Sequence, residues 1–130
     1  MKLKIFLIED DIDDIELLQD ALKRYNIPYD MHTLKDGGEA LEYIRIGNQA
    51  PDIIILDMNQ PKVHGRDIIP VIKSSDHFKN VPLLILTTSS SADDIDYAYK
   101  NGANKYLQKP ATVEGIRQTI EIILELAGKS

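Results

Sequence analysis

The sequence predicts a doubly wound parallel α/β sandwich, with five strands in the order 2-1-3-4-5 and helices on both faces. Two observations carry this expectation. Five short apolar runs alternate with five segments whose apolar residues recur every three or four positions, the signature of βαβ units on a parallel sheet. The central runs are almost wholly apolar, as strands covered on both faces must be.

Leu3–Ile8 reads as a buried strand. Ile12, Ile15, Leu18, Leu22 and Tyr25 then mark the apolar face of a first helix, closed by Pro28. Tyr29–Leu34 alternates, as a half-covered second strand does. Asp36-Gly37-Gly38 is a turn, and Ala40, Leu41, Tyr43 and Ile44 suggest a short second helix. Residues 52–56 are a strongly apolar third strand. A third helix runs from 65 to about 73 and contains Pro70, which is awkward beyond a first turn. Residues 81–86 form strand four. Helix four spans 91–100, with Ser90 or Ser91 as N-cap, Asp93 and Asp94 in its first turn and Asn101-Gly102 as its stop. Residues 104–107 make a short fifth strand and 112–127 a fifth helix, ending at Gly128.

The length, 130 residues, fits one domain spanning 1–130. With 15 basic and 21 acidic residues the net charge is −6, and no stripe of Lys and Arg points to nucleic acid. There is no Cys to staple the chain. No apolar run approaches the roughly 20 residues of a membrane span. Met1-Lys2-Leu3-Lys4 leads into too short an apolar stretch for a signal peptide, so a cytoplasmic location is expected.

In this topology a ligand site lies beyond the carboxyl ends of the strands, between strands one and three. The residues there carry chemistry. Glu9, Asp10 and Asp11 follow strand one, Asp57 ends strand three, Thr87-Thr88 ends strand four, and Lys109-Pro110 follows strand five. Six acids crowd positions 9 to 16. Asp13, Asp14 and Glu16 read as a solvated helix start that complements the helix dipole, with Asp11 as N-cap or its neighbour. Glu9, Asp10 and Asp57 differ, because carboxylates converging in one cleft call for a compensating cation. An all-oxygen set of this kind suits Mg²⁺, and the D-x-[DN]-x-[DN]-G calcium loop is absent. Repulsion among the three should destabilise the metal-free fold. A carboxylate can attack phosphorus to give an acyl phosphate, with metal, Lys and hydroxyl handling the charge of the transferring group.

With these residues in place, the chain resembles a response regulator receiver domain of the CheY-like superfamily, single-domain type, over essentially its whole length. The matching stretches are FLIEDD at 6–11, IIILDMNQPKVHG at 53–65, LLILTTS at 83–89 and NGANKYLQKP at 101–110. The resemblance implies a flavodoxin-like fold and a phosphorelay signalling role rather than an enzyme of steady turnover. It implies self-catalysed phosphorylation and dephosphorylation. Asp57 would accept a phosphoryl group from a sensor histidine kinase or phosphotransfer protein. Glu9, Asp10 and Asp57 would hold Mg²⁺ with the backbone carbonyl of Asn59. Thr87 would be the switch hydroxyl, Tyr106 the switch aromatic and Lys109 the phosphate-contacting lysine. Asn59 and Ser89 fall where the family tunes dephosphorylation, and Pro61 and Gly65 match the loop after the phosphoacceptor. A downstream protein target would read the face of helix four, strand five and helix five. The resemblance also implies a cis Lys109–Pro110 peptide.

The chain departs from the family pattern in three places. Glu9 stands where Asp is commoner, Thr88 where a small residue is usual, and Ala111 where Phe is frequent. On helix five, Val113, Ile116, Ile120, Ile123, Leu124 and Ala127 share one arc at about 100° per residue, which suggests a homodimer through the same face. The rival reading, a haloacid-dehalogenase-like phosphohydrolase with Asp57 as nucleophile, needs an acid at position 59, where this chain has Asn. The tail AGKS lacks the first Gly of a phosphate loop, since Ile123 stands there, and reads as a helix end. His32, His64 and His77 have no metal-ligand spacing and read as structural or solvated, although His64 could line the site.

Overall fold

A computed structural model describes residues 2–47, 49–60 and 63–129, so Pro61 lies outside the described residues. The elements run β1 (Leu3–Ile8), α1 (Ile12–Arg24), β2 (Tyr29–Leu34), α2 (Gly37–Ile46), β3 (Ile53–Leu56), α3 (Gly65–Ser74), β4 (Leu83–Thr87), α4 (Ala92–Lys100), β5 (Lys105–Gln108) and α5 (Val113–Leu126). The strands form one sheet in the order β2-β1-β3-β4-β5. Every neighbouring pair is parallel. This is the predicted flavodoxin-like sandwich.

Alternation along the central strands feeds two cores. Phe6, Ile8, Ile54, Leu56, Leu83 and Ile85 pack with Ile44, Ile68, Ile72 and Ala98 from α2, α3 and α4. On the other face of the sheet, Ile5, Leu7, Ile53, Ile55 and Leu84 pack with Leu18, Leu22, Ile120 and Ile123 from α1 and α5. β3 is buried along its whole length, which is why it reads as IIIL with no alternation. β2, at the sheet edge, buries only Leu34 fully.

Helix ends follow the local chemistry. Asp11, Asp36, Ser91 and Thr112 cap α1, α2, α4 and α5 with side-chain oxygens that accept backbone N–H groups. Gly102 and Gly128 adopt the left-handed backbone just past α4 and α5. Asn26 takes the same conformation after α1, φ 57°, with no glycine to announce it.

Two expectations about apolar faces change. Ile12 lies at the start of α1 and is 57% exposed, so the buried face begins at Ile15. The aliphatic arc of α5 is the inward face. Ile120 and Ile123 are buried, and Ile116, Leu124 and Ala127 pack against the same core. Only Val113 from that arc is strongly exposed, at 66%. The outer face of α5 carries Arg117 paired with Glu114 and Glu121. The arc is therefore satisfied within the fold and gives no reason for a homodimer.

Pro70 does sit inside α3. It has no N–H to give the carbonyl of Arg66 one turn back. The Tyr97 hydroxyl, from α4, donates to that carbonyl at 3.0 Å. Tyr97→Phe should therefore cost about 1–2 kcal/mol, measured by urea unfolding. In a Pro70→Ala background the helix supplies its own donor, and the same change should cost far less. Equal costs in both backgrounds would show that the hydroxyl is not replacing the missing helix bond.

Candidate functional site

The site is assembled from strand ends. Asp57 follows β3, and its N–H donates to the carbonyl of Ile8 at 3.0 Å, continuing the ladder with β1. Glu9 follows β1 and donates its N–H to the Leu34 carbonyl at 3.0 Å on the other side. The two carboxylates are thus fixed by adjacent strands, and both residues are almost fully buried. Asp10 is exposed beside them, and one oxygen from each of the three lies within 4.8 Å of the others.

The loop after β3 is held at both ends. Asn59 N–H donates to Asp57 Oδ1 at 3.1 Å. The Gln60 side-chain amide donates to the carbonyls of Ile8 and Asp57, each at 3.0 Å, joining the ends of β1 and β3. Gly65 N–H donates to the Met58 carbonyl at 2.9 Å, and a Cβ on Gly65 would meet the Met58 Cα at 2.6 Å. Only glycine permits that approach.

Lys109 enters from the end of β5. Its N–H donates to the Thr87 carbonyl at 2.8 Å. Its ammonium lies 2.7 Å from Glu9 Oε1, 2.6 Å from Asp14 Oδ2 and 3.0 Å from Asp57 Oδ2. Three N–H donors meet three carboxylates, which saturates the ammonium. The Lys109–Pro110 peptide is trans, as are all peptide bonds among the described residues. The expected cis bond is corrected: the four-carbon stem reaches the cleft from the trans backbone, which is the cheaper isomer.

Burial drives the Glu9 carboxyl up to about 7, and the negative charge of Asp57 adds to this, against the opposing pull of Lys109. Burial works against the Lys109 ammonium, but its bonds to Asp14, Glu9 and Asp57 prevail and push its pKa up. The lysine therefore stays charged wherever the domain is folded at neutral pH.

The remaining predicted residues line the β4 and β5 ends. Thr87 is fully buried, and its hydroxyl accepts the Ser89 N–H at 3.4 Å. Thr88 is exposed, and its hydroxyl meets the Asn59 amide at 3.5 Å. The Tyr106 hydroxyl donates to the Ser89 carbonyl at 2.9 Å. Burial raises the Tyr106 pKa, so it remains a neutral donor. Ser89 also donates to Asp94 at 2.7 Å, and Asp94 pairs with Arg66 at 2.8 Å. His64 caps α3 through Nδ1, and His32 stacks on Tyr43.

Sequence reasoning missed two residues here. Asp14 is not a solvated helix-start acid, because it is on Lys109. Its neighbour Asp13 is exposed, as expected. Gln60 gave no chemical signal, since its task is to bond two carbonyls that only the fold brings together.

The chain belongs to the family described as the response regulator receiver domain, whose model matches residues 5–121. A probable methanogenesis regulatory protein, FilR2 of Methanothrix harundinacea, is 37% identical over 125 residues, covering 93% of this chain and 81% of the relative. The crystal structure of the phosphorylated cyanobacterial phytochrome response regulator RcpA is similar at TM-score 0.84 and 38% identity, covering 96% of this chain and 93% of that one. The Mn²⁺-bound form of response regulator Rcp1 is similar at TM-score 0.81 and 31% identity, covering 94% and 91%. Receiver domains are phosphoacceptor signalling modules rather than turnover enzymes, and the phosphohydrolase alternative finds no support.

The raised Glu9 pKa has a consequence for stability. Between its ordinary value of 4.5 and about 7, the folded protein keeps a proton that the unfolded chain has lost. The stability it contributes is complete below pH 4.5 and is lost as pH rises through about 7. Without divalent cations, Glu9→Gln should remove that decline and be more stable than the parent above pH 7. Thermal melts from pH 4 to 8 check this. A variant less stable than the parent at pH 8 would show that the Lys109 contact outweighs burial.

Proposed function

We propose that this chain, as one receiver domain over 1–130, accepts a phosphoryl group on Asp57 from a sensor histidine kinase or phosphotransfer protein and passes the signal to a protein target. The observation that carries this reading is the setting of Asp57. A nearly buried carboxylate at the end of the central strand shares Lys109 at 3.0 Å and stands within the three-acid group. The Asp57 oxygen forms the new bond to phosphorus while the bond to the donor imidazole breaks and the electron pair leaves with the nitrogen. Lys109 holds charge on the acceptor side throughout. Self-catalysed phosphorylation and dephosphorylation follow from the same groups acting without an enzyme partner.

The donor set of Glu9, Asp10 and Asp57 fits a hard divalent cation. All three donors are oxygens, and burial, helped by the charge of Asp57, raises the Glu9 carboxyl to about 7 despite Lys109, a cost that a bound cation would relieve. Mg²⁺ would be held by these acids and the Asn59 carbonyl, and when bound it would supply neutralising charge for the incoming phosphoryl group. The metal-bound form of Rcp1 and the phosphorylated form of RcpA support both parts of the reading.

Thr87 is the proposed switch hydroxyl and Tyr106 the proposed switch aromatic, joined through Ser89. Asn59 and Ser89 tune dephosphorylation by controlling approach of water. The target reads the α4–β5–α5 face, where Tyr99 and Val113 are exposed. No helix among the described residues is long and apolar enough to cross a membrane, which is consistent with the proposed cytoplasmic role.

Acetyl phosphate with Mg²⁺ should add one phosphate per chain, labile to hydroxylamine, and Asp57→Asn should abolish it. Labelling that survives in Asp57→Asn would sink the assignment. For the metal, Mg²⁺ at a hundred times its dissociation constant should stabilise the parent by about 2.7 kcal/mol, a rise of very roughly 5–15 °C in Tm. Asp10→Asn should melt higher than the parent without metal and respond little to Mg²⁺. A variant that melts lower and still gains as much from Mg²⁺ would remove Asp10 from the metal site.

A further inference from the structure

Among the described residues, Asp14 is the one partner of the Lys109 ammonium outside the three-acid group. Glu9 and Asp57 each belong both to the lysine's partners and to the set of three acids. A cation bound there would share those two carboxylates with Lys109. Asp14 Oδ2, at 2.6 Å from the same ammonium, is not shared in this way.

The helix leaves the Asp14 side chain free for this contact. Asp11 already caps α1, accepting the N–H groups of Asp13 and Asp14. Asp14 is held by the first turn of a helix whose next residue, Ile15, is buried. It is therefore presented from a rigid element, as a precise polar contact requires. The Lys109 side chain is only 13% exposed, but it carries its ammonium on a flexible four-carbon stem. It borders a cavity of about 40 Å³ between α1 and α5, lined also by Leu18, Ile55, Ile116 and Ile120. A flexible four-carbon stem beside such a gap leaves its ion pairs a share in setting the place of the ammonium.

We propose that Asp14 is a positioning residue for phosphoryl transfer: it holds the Lys109 ammonium at the cleft while Glu9 and Asp57 are engaged with metal and phosphoryl group. The proposal rests on Asp57 being the phosphoacceptor. Asp14 touches no reacting atom and acts only through the lysine. Without it, Lys109 keeps two anchors, and both also belong to the acids that would serve the metal and the phosphoryl group.

The test compares the parent with Asp14→Asn and Asp14→Ala at saturating Mg²⁺, following the initial rate of phosphorylation by acetyl phosphate. The Lys109 ammonium is observed in parallel by NMR correlation of its Nζ with its protons, visible when the group is held and lost when it exchanges freely. Asp14→Ala should slow phosphorylation roughly five- to tenfold and Asp14→Asn about threefold, each with a weakened or missing Lys109 signal. Asp14→Asn keeps the side-chain shape and serves where the alanine variant melts below the assay temperature. Rates at or above the parent's in both variants overturn the proposal, and so does a slower rate with the Lys109 signal intact. Asp57→Asn separates the two levels. Label persisting there defeats the phosphoacceptor reading itself, whereas label lost there with parental rates in the Asp14 variants defeats only the positioning role.

Discussion

The Lys109 ammonium is the counter-charge on which the carboxyl end of the sheet depends. It reaches Glu9, Asp14 and Asp57 within 3.0 Å, drawing together β1, α1 and β3 from the end of β5. Two of these acids are nearly buried, and a buried carboxylate without a partner is costly. One lysine cannot compensate them fully. The Glu9 carboxyl remains displaced to about 7, with burial as the leading cause. The site is thus built with a deficit of positive charge, a physical condition that favours a divalent cation.

Everything else about the fold serves to bring those groups to one edge. A parallel sheet places the carboxyl ends of all its strands together, so residues 9, 57, 87 and 109 meet although they are distant in sequence. β3 is central and buried on both faces, which leaves Asp57 no freedom beyond its side-chain rotation. The loop behind it is clamped by Gln60 and by the close approach of Gly65 to Met58.

What was legible in the sequence is what depends on periodicity, local capping or strand-end position. The ten elements, the caps at Asp11 and Ser91 and the glycine stops are local. Glu9, Asp57 and Lys109 could be placed because each directly adjoins a strand. Besides the Lys109–Pro110 isomer and the Gln60 clamp, what failed depended on which way a helix faces. Acids at the start of α1 all suit the dipole, and only the position of the β5–α5 loop separates Asp14, on Lys109, from exposed Asp13. The aliphatic arc of α5 was visible as an arc, but a single helix does not reveal whether its apolar face meets its own sheet or a second molecule. Pro70 looked awkward because its remedy, the Tyr97 hydroxyl, lies on another helix.

Ser89 is the hydrogen-bonded centre of the proposed switch. Its N–H is on the Thr87 hydroxyl, its carbonyl accepts from Tyr106 and its own hydroxyl donates to Asp94. Thr87 cannot turn its hydroxyl toward a group on Asp57 without releasing the Ser89 N–H. The Ser89 carbonyl and hydroxyl belong to the same residue, so a shift there strains the bonds to β5 and α4 together. Asp94 is not a soft endpoint, because Arg66 anchors it to α3 and stacks over Tyr97, 5.0 Å from the ring centroid. The proposed path from the acid site to the α4–β5–α5 face is therefore short and polar, and it borders the core against which Tyr106 packs.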